Sequence, residues 1–146
     1  MIKHIPGHGL AKVDSHKFTP VVSKSLKYLN KNDFYPFKKK KSFFALTAHV
    51  KYLRIDKFNT ATHSKKIINL IRNKIGFKNI LISDDISMKS LKDDLKTNTI
   101  KTFSAGCNLV LHCNGKLTEM RLVGDNSPKV SNFIIKKTSL FYKILS

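Results

Sequence analysis

The chain has 146 residues, enough to bury one hydrophobic core, and its 41% apolar content is that of a globular protein rather than a disordered one. No apolar run reaches the ~18 residues of a membrane-spanning helix and the N-terminus lacks a secretory apolar stretch, which predicts a cytoplasmic protein with no membrane partner. The formal charge of +19 comes from 28 Lys+Arg against 9 Asp+Glu, but lysines are spread over the whole length among isoleucine, asparagine and phenylalanine. Only Lys38–Lys41 form a dense block, a pattern of compositional bias more than of a nucleic-acid surface.

The first twenty residues read as a loop, because Pro6, Gly7 and Gly9 break regular structure and favour turns. That loop gathers Lys3, His4, His8, Asp14 and His16. A short helical stretch follows at residues 24–29. Phe43–Val50 (FFALTAHV) is a short apolar run with a polar tip at His49, the pattern of a buried strand. Thr62, His63 and Ser64 offer caps for a helix carrying Ile67, Ile68, Leu70, Ile71 and Ile75 at helical spacing, and Gly76 stops it. Asn79–Ser83 is a second buried strand, running into Asp84 and Asp85. Ser87–Ser104 reads as a helix ended by Ala105 and Gly106. Asn108–Cys113 is a third strand, and a last helix runs from the surroundings of Pro128 to about Leu145.

Strands recur about every 30 residues with helices between them, the rhythm of βα units on a parallel sheet. Each strand ends in a polar residue: His49, Asp84 and His112. In a (β/α)8 barrel the catalytic groups occupy that end of the strands, but such a barrel takes ~250 residues. The expected fold is therefore α/β, a partial (β/α)8 TIM barrel of about half the usual size.

Paired acids after a strand, as at Asp84 and Asp85, can serve as nucleophile, base or magnesium ligand. The plainer role is an N-cap, with Asp85 or Ser87 starting a helix near Met88. In an extended Asp14-x-His16 segment both side chains point the same way, so the carboxylate can orient the imidazole for acid/base work. Zinc on His4, His8, His16 and Asp14 is disfavoured. The H-x3-H pair spans Pro-Gly instead of a helical turn, and Lys3 would set a positive charge beside the metal. No metal or cofactor is expected. His63 reads as a loop or cap residue, His112 as a strand end, and His49 as a strand tip facing the presumed site. Cys107 and Cys113 would lie ~20 Å apart along a strand, too far to bridge, and are expected to be buried reduced thiols.

Taken in order, KHIPGHG, VDSH followed by Pro20-Val21-Val22, LTAHV, GFKNILISDDISM and AGCNLVLHCNG resemble the catalytic domain of the β-N-acetylhexosaminidases of glycoside hydrolase family 3, from residue 2 to about residue 124. The resemblance implies a retaining glycosidase that removes terminal β-linked N-acetylglucosamine from peptidoglycan-derived muropeptides during cytosolic cell-wall recycling. By position, Asp84 matches the nucleophile, His16 the acid/base, Asp14 its dyad partner, and Lys3 and His4 the pair that binds the sugar. It implies a mobile loop between Lys3 and His16.

The chain also departs from the family pattern. The strands before KHIPGHG are missing, so residues 1–146 are expected to be the C-terminal half of the catalytic domain, about the last four βα units. An N-terminal half, upstream or on a separate chain, would be its partner, and little activity is expected without it. Asn108 stands where the family has aspartate, and residues 56–62 lack the usual prolines. The rival readings are a basic nucleic-acid-binding module, which leaves the ordered motifs unexplained, and an inactive remnant of the hydrolase.

Overall fold

The computed structural model describes residues 1–145. Its strands are β1 (Ile2–Ile5), β2 (Val21–Val22), β3 (Phe44–Thr47), β4 (Lys51–Tyr52), β5 (Ile80–Asp85) and β6 (Leu109–Leu111). Its helices are α1 (Leu26–Lys31), α2 (Lys65–Leu70, continued by a π-helical turn over Ile71–Ile75), α3 (Leu95–Ala105), α4 (Leu117–Asp125) and α5 (Asn132–Leu145). The strands β1, β3, β5 and β6 form one parallel sheet in chain order, and β2 pairs with β4 in a short second ladder. Sequential parallel order with helices between strands is the βα architecture the spacing predicts.

The register sets Ala45 opposite both Ile2 and Leu81. Ala45 and Leu81 bury toward the helices, in one core with Ile67, Ile71 and Ile75 of α2 and with Leu29, Phe34 and Tyr52. Because strand side chains alternate, Leu46 turns to the other face, where it meets Leu111 and Asp84 across a concave cleft. Helix α5 sets Phe141 against Phe43 and Phe44, with ring centroids 5.2 Å apart in each pair. No helix among the described residues is long and apolar enough to cross a membrane.

Several boundaries differ from the sequence reading. Residues 2–5 are a strand, not a loop: Pro6 lies just past its end, and Ala48 N–H continues the ladder onto Ile5 O at 2.8 Å. The run Phe43–Val50 divides, with β3 ending at Thr47 and β4 diverging to pair with β2. The helix expected from Ser87 begins only at Leu95. Asp85 accepts from the Ser87 N–H and hydroxyl and so closes a turn, whereas Asp94 caps α3 through the Thr97 N–H and hydroxyl. Helix α4 is an element the sequence reading lacks; it buries only Val123. Cys107 is buried, but Cys113 lies past the end of β6 and is exposed.

Candidate active site

The cleft occupies about 970 Å³ over the C-terminal ends of β1, β3, β5 and β6. Lys3, His4, His8, His16, Asp33 and Asp84 line it. Lys3 and His4 come from β1, whose parallel pairing with β3 carries both to the same rim as the end of β5. His4 Nε2 lies 3.3 Å from Asp84 Oδ2. The other Asp84 oxygen accepts from the Asp85 N–H at 3.0 Å, which leaves the carboxylate facing the cleft. Burial lowers the His4 pKa, outweighing the attraction of Asp84. The adjacent acids thus divide: Asp84 faces the cleft and Asp85 holds its turn.

Asp14 and His16 lie close but are coupled through the main chain. Asp14 Oδ1 accepts from the His16 backbone N–H at 2.9 Å, and the His16 ring makes no hydrogen bond or ion pair with that carboxylate. The physical reason is that a short aspartate side chain reaches the N–H two residues on more readily than a ring. His16 lines the cleft and Asp14 does not. The tie runs on through His8, whose Nε2 lies 3.4 Å from Ser15 Oγ. At its far end the loop is fastened to the segment after β5 by Lys89 N–H to His16 O and by the Thr19 hydroxyl to Ser90 O at 2.6 Å.

His49 is not a cleft residue. It is fully buried, with Nδ1 2.7 Å from Thr62 Oγ1 and Nε2 donating to Asp85 O at 2.9 Å. It therefore braces the backbone beside Asp84 from behind. His63 lies just before Ser64, the residue that caps α2; its Nε2 is buried without a partner, and burial pulls its pKa down to about 4. His112 pairs with Glu119 Oε2 at 2.9 Å. Hydrogen bonds from Asn114, then from His112, bring Glu119 down to about 2. Asp33 carried no role in the sequence reading, because its side-chain partners, Gly9 and Tyr52, are distant in the chain.

A family model, the glycosyl hydrolase family 3 N terminal domain, matches residues 1–137. The chain belongs to glycosyl hydrolase family 3. A beta-hexosaminidase of Nitrosomonas eutropha is 32% identical over 117 residues, covering 77% of this chain and 34% of that protein. One from Psychromonas ingrahamii is 30% identical over 148 residues, covering 97% of this chain and 42% of that one. NagZ from Neisseria gonorrhoeae, solved in complex with N-trifluoroacetyl-D-glucosamine, aligns with a TM-score of 0.79 at 29% identity, over 94% of this chain and 40% of its own. This family 3 chain thus spans about a third to two fifths of the length of the curated relatives it matches.

The family 3 membership gives the parallel arc its context as part of the family's barrel domain. The Asn108 Oδ1 accepts from Arg72 Nη2 at 2.7 Å and from Leu81 N–H at 2.9 Å, while Arg72 reaches Asn79 O at 2.6 Å. A carboxamide oxygen thus takes both bonds at once, as one carboxylate oxygen could.

Proposed function

We propose that this chain supplies the nucleophile and the acid/base of a retaining glycosidase, one that removes terminal β-linked N-acetylglucosamine from peptidoglycan-derived muropeptides in the cytoplasm. The observation that carries the reading is the meeting of Asp84 with His4 at 3.3 Å in a cleft that His16 and Lys3 also line. Asp84 attacks the anomeric carbon. His16, as imidazolium, gives its proton to the departing glycosidic oxygen, and a covalent glycosyl ester remains on Asp84. His16, now neutral, takes a proton from water, which attacks the same carbon and frees Asp84 with retention of configuration. Lys3 and His4 hold the sugar against β1. Asp14 sets the backbone on which His16 is carried, and closure over the bound sugar brings the ring to the leaving oxygen.

The relatives' greater length supports a second element of the proposal: residues 1–146 are the C-terminal half of the catalytic domain, and an N-terminal half completes the sugar site. The test is release of the chromophore from a chromogenic β-N-acetylglucosaminide. The chain by itself should turn over little, and the completed barrel should turn over well. Asp84→Asn in the completed barrel should abolish turnover. Substantial activity in that variant refutes the nucleophile assignment, and robust turnover by the 146 residues alone refutes the need for a complement.

A further inference from the structure

The glycines of Pro6-Gly7-His8-Gly9 suggest a freely mobile loop, but the structure holds its base tightly. Neither glycine has a positive φ, so left-handed backbone does not explain them. Close approach does. A Cβ on Gly7 would fall 2.5 Å from Asp33 Cγ and 2.8 Å from Asp33 O, and one on Gly9 would fall 3.2 Å from Asp33 Oδ1. The Asp33 carboxylate therefore lies directly on the loop. Its Oδ1 accepts from the Gly9 N–H at 3.0 Å. Tyr52, fully buried and edge-on to Phe34, donates its hydroxyl to Gly7 O at 2.6 Å and lies 3.3 Å from Asp33 Oδ2. His8, between the two clamped glycines, has its ring 3.4 Å from the Ser15 hydroxyl, within Asp14-Ser15-His16.

We infer that Asp33, seated on Tyr52, is a positioning residue that sets the entry angle of the acid/base loop by gripping Gly7 and Gly9. The inference rests on the glycosidase reading for what the loop delivers, but the clamp itself can be observed without substrate. With its base held by Asp33 and its far end tied at Lys89 and Ser90, the loop has both ends fixed, and the contact of His8 with Ser15 fastens it across the middle. That confines His16 to a short arc instead of a wide sweep, which is what orientation toward a single leaving oxygen requires.

The experiment measures amide exchange and histidine ring resonances by NMR on this chain, with Asp33→Ala and Asp33→Asn beside the native residue. Gly9 is an exposed residue, so slow exchange of its amide in the native chain reports the Asp33 bond directly. Alanine should accelerate that exchange by at least about tenfold and shift the His8 and His16 ring signals. Asparagine keeps an acceptor oxygen at Oδ1 and should restore both. In the completed barrel, alanine should lower kcat about 100-fold with KM kept, and asparagine should rescue kcat. Fast Gly9 exchange in the native chain overturns the clamp even if the alanine variant fails to fold. So does unchanged exchange in that variant. Accelerated exchange with undiminished kcat overturns the positioning role. Turnover surviving Asp84→Asn would instead sink the glycosidase reading and leave the amide result standing.

Discussion

Replacing His63 with leucine should flatten the acid side of the stability profile. Burial, with repulsion from His49 and Lys101 adding to it, lowers the His63 pKa from 6.5 to about 4. In the unfolded chain the ring titrates at its ordinary value. Between these two values the unfolded state binds a proton that the folded state refuses, so stability falls as pH falls from 6.5 toward 4. At about 1.36 kcal/mol per pKa unit the full gap is roughly 3 kcal/mol, reached near pH 4 and constant below it. At neutral pH this contribution vanishes. Leucine has nearly the volume of histidine and no proton to bind, and it removes an unpartnered buried nitrogen. His4 and His49 are also lowered by burial and slope in the same direction, so the difference between native chain and variant is the quantity that isolates His63. Urea unfolding followed by circular dichroism, at pH values from about 7 to about 4, gives both profiles. The variant should gain on the native chain by roughly 3 kcal/mol across that window. Two parallel profiles separated by a constant offset would refute the reasoning.

Three further outcomes follow from the hydrogen bonds and exposures described above. Asn108→Asp should raise stability by about 1 kcal/mol, because a carboxylate facing Arg72 makes a charge-assisted bond where the carboxamide makes a weaker one; a lowered melting temperature would contradict this. His49→Leu should cost about 2 kcal/mol in urea unfolding, since Asp85 O and the Thr62 hydroxyl each lose one of their partners, and an unchanged midpoint would show that the brace is dispensable. A thiol reagent should label the folded chain at Cys113 alone. Cys107 is buried with its pKa pushed up to about 12, so peptide mapping that finds label on Cys107 before denaturant is added would rule out this packing.

The parallel α/β arrangement was legible because each central strand is a short apolar run that no other element imitates. Ser64 was legible as the start of α2, since its hydroxyl and Ile67 N–H have the spacing a cap requires. The start of α3 was not: Ser87 and Asp94 both look like caps, and only the turn made by Asp85 decides between them. Strand β1 was hidden by its neighbours, as Pro6 and Gly7 belong to the loop beyond its C-terminal end. At the site, the order of the motifs singles out Lys3, His4, Asp14, His16 and Asp84, and the fold gathers all of them but Asp14 into one cleft. The Asp14 bond was misjudged because a ring and a backbone N–H two residues on compete for the same oxygen. Asp33 and Tyr52 left no local signal, for their partners lie in a different part of the chain and only packing introduces them.

The sheet has a further consequence. Its four strands run the same way in chain order, and among the described residues the outer edges of β1 and β6 are unpaired. A complementary arc of like design would meet β6 with its first strand and β1 with its last, at two seams on opposite sides of one ring. Once either seam forms, the partners of the other are already held close, and the second pairing takes place at the high effective concentration of a tethered reaction. The two seams would therefore reinforce each other. Ring closure would then behave as the fastening of a two-hooked clasp, each hook easing the other, while an open edge is a template for mismatched strands until the clasp shuts.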